Sequence, residues 1–276
     1  MRRESTRKLW ATAAAIGATG LLATPTTASA APDIPPPGAN NWSCKSTSHP
    51  TPVVLVHGTS ANQNQNWHVL SPALTRAGYC VYTLTMGELP GLPGYGGLAP
   101  ITQSVRQLAT FTKKVMARTG SSKLDFVGHS QGATIQLTYL RDYGGARHAH
   151  RVVNIAGVVS GPPSVDGMAP LLRSIPGSLC PLCEQLTNPA TYRFRNYPDI
   201  TYTNIASSTD EIVNPNSVSF MRPARNVRNV LVQSSCPHMR VGHASMSSSP
   251  TVRRMILNGL DPDHRKPARC GPDMPK

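Results

Sequence analysis

A serine between small residues, a carboxylate and a histidine, met in that order along the chain, are the residues whose chemistry stands out. Gly128-His129-Ser130-Gln131-Gly132 follows the apolar run Leu124 to Val127 and leads into a helix-like run from Gln131 to about Asp142. That context predicts a sharp strand-to-helix turn in which the serine backbone is strained and the residues two positions away must be small. Such a turn lifts the hydroxyl clear of the sheet and sets it over a helix N-terminus, whose N–H groups favour developing negative charge. G-x-S-x-G also arises by chance in a chain with 22 glycines, so its meaning rests on its partners.

Thr201 to Ala206 alternates like a strand and runs into Ser207-Ser208-Thr209-Asp210-Glu211-Ile212-Val213-Asn214. Asp210, a few residues past the strand, is the candidate acid, able to bond one ring N–H of a histidine and to stabilise its cation. Glu211 is its rival, but the residue after the acid is expected to point away, and neither Asp166 nor Asp199 follows a clear strand end. Val227 to Gln233 reads as the last strand, with His238 and His243 in the loop beyond it and a helix from about Pro250 to Gly259. His243, just ahead of that helix, is the candidate base. His238 sits beside Cys236, His264 lies past the helix, and His129 occupies a packing position. Upstream, the fully apolar Val53 to Val56 reads as a central parallel strand ending in His57-Gly58-Thr59. The N–H groups of Thr59 and Gln131 are the candidate oxyanion donors, with His57 bonding loop backbone instead of moving protons. The chemistry of this set is acyl transfer through a serine, and it requires neither metal nor cofactor.

The elements that must hold these residues alternate between strand and helix. Asn64 to Ala77 suits a capped helix and Cys80 to Leu84 a second strand. The Gly- and Pro-dense loop Gly87 to Pro100, with Tyr95, borders the mouth of the site. Ile101 to Thr119 carries a helical stripe of Ile101, Val105, Leu108, Phe111, Val115 and Met116. Arg151 to Val159 reads as a further central strand, and residues 160–199 as a small irregular cap whose Met168, Leu171, Leu172, Ile175 and Leu179 either wall the pocket or pack the cap. The class is α/β, with a mostly parallel central sheet and helices on both faces.

Residues 1–30 read as a secretory signal: basic Arg2, Arg3, Arg7 and Lys8, a small apolar stretch from Leu9 to Ala23, and Ala28-Ser29-Ala30 as cleavage site. The stretch is shorter and more Thr- and Gly-diluted than the ~20 strongly apolar residues of a membrane span, and no apolar pair follows Arg2-Arg3 to make a twin-arginine signal. Residues 31–276 are then one secreted catalytic domain, with 31–52 an extended arm in which Trp42 packs. The formal net charge of +14 favours anionic envelopes, lipid surfaces or acidic polymers over nucleic acid, since the cations are scattered and no basic helix or aromatic strand stands out. Six cysteines in an exported chain point to disulfides: Cys44, Cys80, Cys180, Cys183, Cys236 and Cys270. Sequence does not select among the many pairings; those favoured are Cys44 with Cys80, Cys180 with Cys183 and Cys236 with Cys270, a zinc knuckle or redox pair being the other reading of Cys180-Pro-Leu-Cys183.

Asn41-Trp42-Ser43-Cys44, Val53 to Thr59, Gly94-Tyr95-Gly96-Gly97-Leu98-Ala99-Pro100-Ile101, the Ser130 turn, Thr209-Asp210-Glu211-Ile212-Val213 and the Cys236 to His243 loop together resemble secreted bacterial lipases and esterases of the α/β-hydrolase superfamily, close to the class 2 triacylglycerol lipases. The resemblance implies a monomeric lipase or carboxylesterase acting on ester or lipid substrate at a lipid–water interface, with Ser130, Asp210 and His243 as triad and Thr59 and Gln131 as oxyanion positions. Ala133-Thr134 and His238-Met239-Arg240-Val241-Gly242 depart from the pattern and bear on substrate preference. Two other readings stand beside it: a short-chain esterase or polyester hydrolase, and a non-catalytic envelope-binding protein on a hydrolase scaffold.

Overall fold

The computed structural model describes residues 33–164 and 183–274; the signal segment, Asp166, Cys180 with its pairing to Cys183, and cap residues Met168 to Leu179 lie outside the described residues. Short apolar runs form six strands: β1 (Val53–Val56), β2 (Val81–Thr83), β3 (Leu124–His129), β4 (Ala149–Ile155), β5 (Thr201–Ala206) and β6 (Val227–Leu231). They pair in the order β2-β1-β3-β4-β5-β6, every pair parallel. Parallel strands need crossovers, and the crossovers place helices over both faces. The α-helices among the described residues are α1 (Gln63–Trp67), α2 (Leu70–Arg76), α3 (Ile101–Thr119), α4 (Gln131–Asp142), α5 (Cys183–Thr187), α6 (Val232–Ser235) and α7 (Pro250–Leu260).

Alternation along the strands divides the core in two. Val54, Val56, Leu124, Phe126 and Val152 face α3 and α4, whereas Val53, Leu55, Val127, Val153 and Ile155 face Trp67, α2 and α7. α3 keeps the predicted bounds and ends where Gly120 turns left-handed (φ 72°), its N–H on the Met116 carbonyl.

Four expected elements differ in extent. The single helix over Asn64 to Ala77 is instead α1 and α2, because Pro72 has no N–H to continue a helix through the preceding turn. The strand expected to reach Val159 stops at Ile155, where Ala156 adopts φ 46° and bends the chain out of the sheet. β2 is confined to Val81–Thr83, and the last strand gives way at Val232 to α6. In the described part of the cap, α5 and a 3-10 turn at Pro189–Tyr192 replace wholly irregular chain.

The N-terminal arm is a partial extra strand. Ala39 pairs with Val81, and the Asn40 side chain imitates backbone by donating to the Thr83 carbonyl and accepting its N–H, both at 2.9 Å. Trp42 packs against Tyr82 and Phe111, and the Cys44–Cys80 disulfide closes the arm onto the start of β2. A second disulfide, Cys236–Cys270, ties the C-terminal tail to the loop after α6.

A row of side-chain amides crosses one sheet face. Gln136 Nε2 on α4 donates to Asn154 Oδ1 (2.7 Å), Asn154 to Asn204 (2.7 Å), Asn204 to Asn229 (2.8 Å), and Asn229 to the Met221 carbonyl (2.8 Å). The three asparagines are register partners on β4, β5 and β6, so the row forms only if these strands are aligned as they are. Asn204→Ala leaves the buried Asn154 amide without its acceptor and Asn229 without its donor. The expected loss is about 2–4 kcal/mol of unfolding free energy by urea titration, and a loss well under about 1 kcal/mol would mean the row does not hold the register.

Candidate active site

β3 ends at His129, and Ser130 turns into α4 with φ 56° and ψ −125°, a conformation that costs energy for any residue with a side chain. Neighbours on both sides hold it. The Ser130 N–H donates to the Ile155 carbonyl and its own carbonyl accepts from the Ala133 N–H, both at 3.0 Å. Gly132 lets α4 press onto β1: a Cβ there would stand 2.0 Å from the Val56 carbonyl oxygen. Gly58 brings the loop after β1 against the serine, since its Cβ would lie 3.0 Å from Ser130 Cβ.

The loops after β5 and β6 bring Asp210 and His243 to this serine. His243 Nε2 lies 2.9 Å from Ser130 Oγ, and its Nδ1 lies 3.0 and 2.9 Å from the two Asp210 oxygens. Asp210 Oδ1 also accepts the N–H groups of Ile212 (2.9 Å) and Val213 (2.8 Å). Burial by itself would raise the Asp210 carboxyl; its bonds to and charge attraction for His243, with the two backbone donors, outweigh this and hold it below the usual carboxylate range. An ionised Asp210 places the imidazole proton on Nδ1, leaving Nε2 to accept the serine proton. A proton can thus leave Ser130 with its charge balanced one residue away.

Thr59, Gly58, Ala61, Ser130, His243 and Ser247 line an open cavity of about 240 Å³. Gln131, the first residue of α4, has no intrahelical acceptor for its N–H, as holds for the opening turn of any helix. Its side-chain amide is buried, and neither of its polar atoms has a hydrogen-bond partner among the described residues.

Glu211 does not point away, contrary to expectation. Its Oε2 accepts the His243 backbone N–H at 3.0 Å, holding His243 by its main chain while Asp210 holds it by its ring. Thr209 Oγ1 donates to the Val241 carbonyl (3.0 Å) and accepts the Val241 N–H (2.9 Å), and Gln233 bonds both Ser208 N–H (2.9 Å) and the Met239 carbonyl (2.9 Å). Asn66 accepts the Gly58 N–H at 3.1 Å. Sequence reasoning missed Thr209, Gln233 and Asn66 because polar loop residues look alike until the loops meet. His238 is exposed, Asp199 lies in an exposed turn, and His264 pairs with Asp261 at 3.0 Å, so none of them joins the site.

Residues 50–154 match the family model described as lipase (class 2). Triacylglycerol lipases of Pseudarthrobacter phenanthrenivorans and Burkholderia plantarii are each 33% identical over 86 residues, 29% of this chain but 25% and 22% of those proteins. The matched part therefore spans about a quarter of the curated relatives. Aspergillus fumigatus lipase B superposes with a TM-score of 0.66 at 18% identity, over 87% of this chain and 60% of that one. The architecture is the α/β-hydrolase fold. The family match contains the loop after β1 and the Ser130 turn but ends before Asp210 and His243.

Two further histidines are buried at the site. His57 Nδ1 donates to the Gly58 carbonyl (2.8 Å) while Nε2 accepts the Met86 N–H (3.0 Å), a backbone-holding role like the one expected of it. Burial lowers its pKa to about 4. His129 is pushed to about 3, by burial and then by the neighbouring His243. Its nitrogens face Asn66 Oδ1 and the His243 carbonyl, both at 3.1 Å; a neutral ring has one N–H and so donates to one of them. Unfolding returns both rings to the usual value near 6.5, so below that pH the unfolded chain binds more protons. Stability is full above about pH 6.5 and declines as pH falls toward 4, by on the order of 2 kcal/mol per histidine between pH 7 and pH 5. Asp210, lowered from the carboxylate range, acts only at still lower pH. Urea unfolding at the two pH values checks this, and equal stability at both would show that the rings are not held neutral.

Proposed function

We propose that this protein is a secreted serine hydrolase that cleaves carboxylic esters, of the lipase or carboxylesterase type. The observation that carries the reading is the unbroken contact from Ser130 Oγ through the His243 ring to the Asp210 carboxylate. In the proposed reaction His243 Nε2 takes the Ser130 proton as Oγ attacks the ester carbonyl. The Thr59 and Gln131 N–H groups hold the oxyanion. Collapse of the tetrahedral intermediate breaks the ester C–O bond, and His243 returns the proton to the leaving alcohol. Water, deprotonated by the same nitrogen, then releases the acyl group from Ser130. Asp210 keeps the ring oriented and its positive charge compensated throughout.

The signal-like first 30 residues support export of residues 31–276, and two disulfides support an oxidising destination. Triacylglycerol is the first substrate class, on the family likeness. The modest cavity beside Ser130, walled in part by Gly58, Thr59 and Ala61, favours a second reading in which short acyl esters or polyesters are taken instead. Rates on p-nitrophenyl esters of increasing acyl length, and on emulsified against soluble substrate, separate the two: a lipase gains activity above the solubility limit.

Ser130→Ala is expected to abolish fluorophosphonate labelling and acyl-enzyme formation. Retained labelling would remove Ser130 from the role, and an unlabelled wild type would favour the non-catalytic scaffold. Asp210→Asn, which removes the charge and favours the wrong ring tautomer, is expected to lower kcat about 10⁴-fold. Glu211→Gln keeps an oxygen acceptor for the His243 N–H and is expected to cost less than about tenfold. The reverse ranking would exchange the roles of the two carboxylates.

A further inference from the structure

A cationic feature lies away from Ser130. Two cavities of about 340 Å³ and 560 Å³ adjoin along α7, sharing Lys266 and Pro267 in their walls and no residue with the cavity at the serine. Arg228, Arg265 and Lys266 line the first, and Arg254, Lys266 and Arg269 the second. Among the described residues, no carboxylate lines either one. None of these five cations belongs to an ion pair among the described residues. Of the carboxylates of this region, Asp261 lines an adjoining cavity that Arg254 and Lys266 also border, but is bonded to His264; Asp273 accepts the Arg240 N–H, and Asp263 lines neither of the two cavities.

Free in solution, a tail carrying Arg265, Lys266 and Arg269 would avoid Arg228 and Arg254, because like charges repel. It is nevertheless clipped down. Asn258 on α7 donates to the Lys266 carbonyl (2.7 Å) and accepts its N–H (2.9 Å). Thr251 Oγ1 donates to the Arg269 carbonyl (2.8 Å) and accepts the Gly271 N–H (2.9 Å), and Cys270 is bonded to Cys236. Every clip uses tail backbone or sulfur, so the charged ends stay available; partial burial and then the nearby Arg265 lower the pKa of Arg228. The fold thus holds five cations, none of them in an ion pair among the described residues, along two adjoining cavities.

We propose that this groove binds a linear inorganic polyphosphate chain. Four of the five cations are arginines, whose planar forks match phosphate oxygens two at a time. The run from Arg228 to Arg269 over two joined cavities suits a chain with repeated charges better than a single ion. Among the described residues no aromatic side chain lines either cavity, so the bases of a nucleic acid would find no stacking surface there. Because the strands are parallel, Arg228 near the start of β6 lies toward the opposite end of the strands from Ser130, which follows the end of β3. A bound polymer therefore leaves the serine cavity open.

The test is binding of inorganic polyphosphate to the full protein, followed by calorimetry at about 50 and 200 mM salt, with affinity falling steeply as salt rises. R228Q/R265Q/K266Q is expected to weaken binding at least tenfold, and R254Q/R269Q, from the other end of the groove, several-fold. R76Q/R106Q/K113Q removes as much charge from exposed sites elsewhere and is expected to change affinity less than twofold. Melting curves confirm that the variants are folded. The proposal is overturned by absence of binding, by equal weakening in the control variant, or by tighter binding of single-stranded DNA or phosphatidylglycerol vesicles than of polyphosphate.

Discussion

Ser130 can hold a left-handed backbone only because α4 lies directly against the end of β1, and that closeness exists only because position 132 has no side chain. The Val56 carbonyl occupies the space a Cβ would need. From this contact follow the angle at which α4 leaves the sheet and the proximity of the Gly58 loop to the serine. The strain at one residue is carried by its neighbours: the Ile155 carbonyl, the Ala133 N–H and the packing of α4 on α3 all oppose its relaxation. It is the cost of a hydroxyl aimed outward from an interior turn.

Asp210 and His243 face the opposite problem, since they come from loops with no regular structure of their own. The loops solve it by bonding to each other. Thr209 closes two hydrogen bonds on Val241, Gln233 spans from Ser208 to Met239, and Glu211 takes the His243 N–H. A charged acceptor on that N–H and a charged acceptor on the ring fix both ends of the histidine, so the imidazole needs little further packing to keep its aim. Two consecutive carboxylates thus do different work: Asp210 faces the ring, Glu211 the main chain.

The sequence made some of this legible and hid the rest for physical reasons. The Ile101–Thr119 stripe and the strand–serine–helix pattern are local, so their bounds could be read directly, and Thr201–Ala206 likewise. Pro72 announced a break that periodicity alone overran, and nothing in Val-Val-Asn-Ile-Ala-Gly-Val-Val signals that Ala156 turns left-handed. Among the site residues, Ser130, Asp210 and His243 could be ordered by type and by position after strands. The contacts of Glu211, Thr209 and Asn66 could not, because each joins segments distant in the chain and depends on how two loops meet. The cations of the C-terminal tail looked scattered in sequence and converge only once the tail is folded back on α7.

The amide row across β4, β5 and β6 has a polarity. Its last partner, the Met221 carbonyl, can only accept, so Asn229 must offer its NH₂ there and its oxygen to Asn204, and the same choice passes rung by rung to Asn154 and Gln136. No single amide can flip without setting oxygen against oxygen or nitrogen against nitrogen at its neighbours. The row therefore inverts all together or not at all, and the terminal carbonyl forbids inversion. One main-chain oxygen at the sheet edge sets the orientation of four side-chain dipoles reaching into the core.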